Sequence, residues 1–163
     1  MQQAHAAQGD PLTLNAALVG RTYPPTTPYV VGREKVREFA TAIGDTNPAY
    51  HDVAAARALG YADVIAPPTF AFVIAYAGSS QAAMDPELGL DYSRVVHGEQ
   101  RFAYSRPIVA GDAIVATSSI EAIRAVAGND ILTTRVDLTT ESGEHVATTT
   151  TVIVARGTAE EPA

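Results

Sequence analysis

The stretch that decides the fold is PPTFAFVIAYAGSSQAAM, Pro67–Met84. Its prolines suit the first turn of a helix, where a missing N–H is no loss. In the first half only Thr69 and Tyr76 interrupt the apolar run. A helix that is apolar nearly all round has to be buried on most of its sides, so another layer must wrap it.

Four later segments can form that layer. Val95–Val109, Asp112–Val126, Asp130–Ser142 and His145–Gly157 are β-branched and largely alternating, and AGD, AGND and SGE turns separate them. Strands with connections this short form an antiparallel sheet. SRPIVAGD, Ser105–Asp112, reads as the hairpin turn between the first two, shaped by Pro107 and Gly111.

Upstream, LTLNAALVG (Leu12–Gly20) reads as a short helix, TYPPTTP as extended chain, and YVVG (Tyr29–Gly32) as a first strand. REKVREFATAIG, Arg33–Gly44, sets Val36, Phe39, Ala40 and Ile43 on one helical face with the charges opposite, and Gly44 closes it. DVAAARALG repeats the pattern, with Asp52 as N-cap and Gly60 as C-cap. The predicted class is α+β: a single hot-dog fold, in which a curved antiparallel sheet wraps a central apolar helix. The domain spans 12–157, and 1–11 and 158–163 read as loose termini.

A chain of 163 residues, 47% hydrophobic, is long enough to bury a core without staples. It contains no cysteine, which excludes disulfides, Cys-ligated zinc, iron–sulfur clusters and thiol nucleophiles. The net charge of −7 argues against nucleic-acid binding, which needs clustered Lys and Arg. No run approaches the ~20 apolar residues of a membrane span, so no membrane partner and a cytoplasmic location are expected.

The chemistry concentrates in AIGDTNPAYHD, Ala42–Asp52, between two helices. Turn formation explains much of it: Asp45 suits an Asx-turn, Asn47-Pro48 a turn, and His51 a surface position before a helix cap. A carboxylate and an imidazole one loop apart also suit water addition, which needs a base for the water and a proton for carbon. Both readings stand on the residues alone.

GDTNPAYHD, with ARALGY, VIAPPTF and VVHGEQRFAYSRPIVAGD, resembles the MaoC-like dehydratase family, in its FAS1-like dehydratase-domain branch related to mycobacterial 3-hydroxyacyl dehydratase subunits. The resemblance covers roughly residues 12–157. It implies a hot-dog dimer that hydrates a trans-2-enoyl thioester to an (R)-3-hydroxyacyl thioester, or reverses that step. Asp45 and His51 would be catalytic, with Asn47 supporting them. Amides of Thr69 and Phe70 at the helix start would polarise the carbonyl. No cofactor is implied, and Asp45, His51 and Asp52 are too adjacent to resemble a metal site.

Two departures from the active pattern are visible. His51 lies six residues after Asp45 rather than five, and IAPPTF stands where active hydratases read IAHGML, so that Pro67 and Pro68 have no N–H to donate. The expected function is an (R)-specific enoyl-thioester hydratase or 3-hydroxyacyl-thioester dehydratase on acyl-CoA or acyl-carrier-protein substrates, as a homodimer or with a second hot-dog subunit. The alternative is a non-catalytic acyl-binding or stabilising subunit of a heterodimer. His97 reads as a strand-end histidine, with Gly98 marking a bulge or a close backbone approach. Arg94, Arg101, Arg106 and Arg124 are open between surface ion pairs and phosphate contacts, and His5 and His145 are given no role.

Overall fold

The computed structural model describes residues 14–157, so the termini expected to be loose and His5 lie outside the described residues. Among the described residues, four α-helices, α1 (Arg33–Ala42), α2 (Pro48–His51), α3 (Val53–Ala58) and α4 (Ala71–Ala83), accompany five strands. These are β1 (Tyr29–Val30), β2 (Val95–Tyr104), β3 (Ala113–Val126), β4 (Asn129–Thr140) and β5 (His145–Ala155). The expected N-terminal helix is a single 3-10 turn, Ala16–Leu18, capped by the Asn15 side chain.

The sheet is antiparallel throughout, in the order β1-β3-β4-β5-β2, and α4 lies over β3, β4 and β5 as the hot-dog arrangement requires. The β3–β4 hairpin closes in two residues, Ala127 (φ 49°) and Gly128 (φ 73°), the left-handed pair whose twist matches that of the strands. The register of β2 on β5 slips between His97 and Glu99. Gly98 sits at this bulge, where an added Cβ would lie 3.4 Å from the Val152 carbonyl oxygen.

One expected hairpin is absent. Because β2 pairs with β5 and β3 pairs with β1 and β4, Ser105–Asp112 is a crossover between distant strands. It is pinned along its course: Ser105 N–H donates to Val146 O (2.9 Å), Ala66 N–H to Ile108 O (2.8 Å) and Gly111 N–H to Val31 O (2.8 Å). Arg106 joins both ends through Asp112 (2.8 Å) and Glu144 (2.8 Å). Proline and glycine dictate that the chain turns here, while strand pairing decides where it goes.

The central helix also differs from expectation, since only one of its faces is buried. Ala71, Ile74, Ala75, Gly78 and Ala82 form that face. Its small side chains bring the helix close to the sheet: a Cβ added to Gly78 would stand 3.2 Å from Ala116 Cβ and 3.3 Å from Val136 Cγ1. The buried Ser118 hydroxyl donates to Gly78 O (2.9 Å) across the same contact. Bulkier apolar side chains are thereby left on the outer face, where Tyr76 is 52% exposed.

Past α4, Asp85 ties the helix end to the N-terminal segment. Its carboxylate accepts from Tyr23 Oη (2.8 Å), Glu87 N (2.9 Å) and Arg21 Nη1 (2.9 Å). The Tyr23 hydrogen bond first, then the Glu87 amide and Arg21, holds the Asp85 carboxyl below its ordinary 3.8. Burial, reinforced by Asp85, pushes the Tyr23 phenol up to about 12. A depressed native pKa adds stability that is complete above the unfolded value and is lost as pH falls through the native one. Asp85→Asn is therefore expected to flatten the acid limb of the stability profile, read by urea unfolding from about pH 5 down to about pH 2. An unchanged slope would rule this linkage out.

Candidate functional site

The Asp45–His51 loop is built by successive caps. At the end of α1, Gly44 takes φ 73° and Asp45 N–H returns to Ala40 O (2.9 Å). Asp45 Oδ1 then accepts from Asn47 N (3.0 Å), the Asx-turn geometry. Asn47 caps α2 through Ala49 N (3.0 Å), with Pro48 as first helical residue, and Asp52 caps α3 through Ala54 N (2.7 Å). The turn expected at Asn47-Pro48 is thus the start of a one-turn helix that carries His51.

The fold does bring Asp45 and His51 together, but through the main chain. His51 Nε2 lies 2.8 Å from the Asp45 carbonyl oxygen. A carbonyl only accepts, so Nε2 carries the hydrogen and the lone pair of a neutral imidazole is at Nδ1. The loop is held from α1 by Arg37 Nε, which donates to His51 O (2.8 Å).

The helix start is partly occupied as well. Phe70 N–H donates to Pro67 O (2.9 Å), and the Phe70 ring is fully buried against Tyr29 and Phe39. Thr69 is exposed on the 3-10 turn Pro68–Phe70. The Tyr104 hydroxyl donates to Pro68 O, and the Ala71 amide faces the same hydroxyl. Burial pushes the Tyr104 phenol up to about 12, with the Ala71 amide opposing part of that effect.

Among the described residues, cavities open beside α4. The first, about 350 Å³, lies between the outer face of the helix and the inner sides of β2 and β5. Phe72, Tyr76, Ser79, Ser80 and Ala83 form its helical wall at i, i+4, i+7, i+8 and i+11, and His97, with its ring 5.9 Å from that of Phe72, lies opposite. The second, about 290 Å³, opens at the helix start among Tyr50, Ile65, Pro68, Tyr104 and Ser105. Neither Asp45 nor His51 lines either cavity. Their neighbour Tyr50 does, and its phenol is pushed up by burial and by the Asp45 carboxylate.

Of the arginines left open, Arg101 pairs with Glu99, Arg106 with Asp112 and Glu144, and Arg94 Nη2 donates to Gly157 O (2.9 Å). Among the described residues no group of three or more His, Cys, Asp or Glu side chains is placed to hold a metal ion. Tyr50 and Tyr104 are among the cavity residues that sequence reasoning missed. The signal for Tyr104 was available, because it shares the alternation of Gln100 and Phe102 beyond the Gly98 bulge.

The family model for the FAS1-like dehydratase domain region matches residues 17–149. The chain belongs to this family. A UPF0336 protein of Streptomyces coelicolor is 60% identical over 149 residues, covering 91% of this chain and 99% of that relative. A solved MaoC-like dehydratase superposes with a TM-score of 0.80 at 40% identity over 86% of this chain, which spans only 42% of that larger chain. The C-terminally truncated HadBC (3R-hydroxyacyl-ACP dehydratase) complex of Mycobacterium tuberculosis superposes with a TM-score of 0.76 at 32% identity, covering 84% of this chain and 96% of that one. The resemblance read from GDTNPAYHD and VVHGEQRFAYSRPIVAGD is therefore a family relationship. It places this FAS1-like dehydratase-domain protein with the hydro-lyases, which add or remove water. Among the described residues, no helix is long and apolar enough to cross a membrane.

Proposed function

We propose that the protein is the acyl-binding subunit of an (R)-specific enoyl-thioester hydratase or 3-hydroxyacyl-thioester dehydratase acting on acyl-CoA or acyl-carrier-protein substrates. A second hot-dog subunit supplies the water-activating pair. The observation that carries this division of labour is the His51 Nε2 hydrogen bond to the Asp45 carbonyl: the ring hydrogen is spent on the main chain, so Nε2 is not free to exchange a proton with a water.

Other features agree. The proline pair has no N–H to donate, and the Phe70–Pro67 bond and the Tyr104 hydroxyl engage the Phe70 and Ala71 amides, which takes those groups away from a thioester carbonyl. The cavity beside α4, about 350 Å³ and apolar along most of its wall, has room for an alkyl chain. β2 ends the sheet, and a partner strand paired along it would extend the sheet and cover that cavity. The similar HadBC complex is itself a two-subunit dehydratase of hydroxyacyl-ACP.

A second reading, catalysis by a homodimer through Asp45 and His51 with Asn47 in support, is favoured by the bond that joins the two residues and by the lone pair left at His51 Nδ1. Hydration assays separate the two. Crotonyl-CoA and longer enoyl-CoA substrates are followed by absorbance with the purified protein, with Asp45→Asn, and with a co-purified hot-dog partner. No turnover alone, and equal turnover by wild type and Asp45→Asn once partnered, is the expected result. Turnover by the lone protein that Asp45→Asn abolishes would overturn it in favour of the second reading.

A further inference from the structure

Ser105, directly after β2, begins a chain of polar side chains across the end of the sheet that is separate from the Asp45–His51 loop. Its Oγ lies 2.6 Å from His145 Nδ1. On the other side of the ring, His145 Nε2 lies 2.9 Å from Thr148 Oγ1, and Thr148 Oγ1 lies 2.6 Å from Asp137 Oδ1. Arg135 anchors the far end through Asp137 (2.8 Å and 3.1 Å) and reaches Thr148 Oγ1 at 3.3 Å.

The proton positions follow from that end. An ion-paired carboxylate accepts, so the Thr148 hydroxyl donates to Asp137. Having spent its one proton, Thr148 accepts from His145, which places the imidazole hydrogen on Nε2. Nδ1 then presents a lone pair, and the Ser105 O–H fills it. This is a hydroxyl, a base in the correct tautomer, and a third group that orients the base. Ser105 also lines the 290 Å³ cavity, whose other walls include Ile65, Pro68 and the Tyr50 and Tyr104 rings, a surface suited to a small acyl group.

We propose that Ser105 is an acyl-accepting nucleophile with His145 as its base, acting on small activated esters and thioesters. Ser105 Oγ forms a bond to the acyl carbon, the carbon–sulfur or carbon–oxygen bond of the donor breaks, and the serine proton passes to His145 Nδ1 and on to the leaving thiolate or alkoxide. Water then attacks the acyl-serine ester with His145 taking its proton, the serine–acyl bond breaks, and that proton returns to Ser105. The net reaction is hydrolysis of the donor, with no co-reactant beyond water. Ser105 N–H and Arg106 N–H both donate to Val146 O, so neither of these amides is free for the developing oxyanion. Acylation is therefore the step to read, with slow turnover.

The experiment exposes the intact protein to 4-nitrophenyl butyrate, butyryl-CoA and a fluorophosphonate, and follows adducts by intact mass and peptide mapping. One adduct on Ser105 is expected in the wild type and none there in Ser105→Ala, while Ser105→Cys remains labelled by the ester. His145→Gln slows acylation on the order of 100-fold, the scale of a lost general base. Thr148→Val, which removes a positioning residue, slows it less, and Thr148→Ser restores it. No adduct, an adduct elsewhere, or an unchanged rate in a folded His145→Gln protein would overturn the assignment. Because the readout needs no partner subunit, it is independent of the hydratase assays.

Discussion

Phe70→Ala is expected to lower the folding stability by about 3–5 kcal/mol, the range for removing a fully buried phenylalanine. The ring is 0% exposed and meets Phe39 edge-on at 5.3 Å and Tyr29 at 6.3 Å, so its loss leaves a void bordered by α1, β1 and the helix start. Little nearby can collapse into that space, because Ala71, Ala75 and Gly78 already press α4 against the sheet. Against a typical total of ~5–15 kcal/mol this is a large fraction, and urea unfolding reads it directly. Phe72→Ala, two residues on but half-buried at the cavity wall, should lose much less and act on ligand affinity instead. Equal losses for the two variants would contradict this packing.

Ser80→Trp is expected to weaken binding of dodecanoyl-CoA on the order of 100-fold while leaving butyryl-CoA nearly unaffected. Ser80 stands midway along the α4 stripe, between Tyr76 and Ala83, so an indole there fills part of the 350 Å³ cavity. Each methylene kept from burial forfeits ~0.8 kcal/mol, and excluding about four of them gives that ratio. Titration calorimetry with the two thioesters measures it. A loss shared equally by both chain lengths would place the alkyl chain elsewhere.

The elements were legible because they rest on local rules. The polar–apolar spacing of Arg33–Gly44, the caps at Asp52 and Gly60, and the alternation of the last three strands each depend on neighbours a few residues away. The family was legible for a related reason, since several blocks of sequence had to occur together in order. The Ser105–Asp112 crossover was not legible: turn residues report that the chain reverses and carry no record of which strand it will pair with. Nor was the Ser105–His145–Thr148–Asp137 chain, in which Ser105 lies 40 residues from His145 and meets it only where β4, β5 and the end of β2 lie side by side.

The loop Ala42–Asp52 shows the same division within eleven residues. Its Asx-turn and its caps follow from Asp45, Asn47, Pro48 and Asp52 as residue types. The direction of the His51 ring does not, because it depends on where α2 sets the imidazole relative to the end of α1. By itself, then, the sequence determined the hot-dog class, the family and the residues worth suspecting, through short-range periodicity and turn chemistry. Tertiary structure alone decided which face of α4 is buried, which cavities open beside it, and which atom of Asp45 His51 meets, because these depend on long-range packing distances and hydrogen-bond directions.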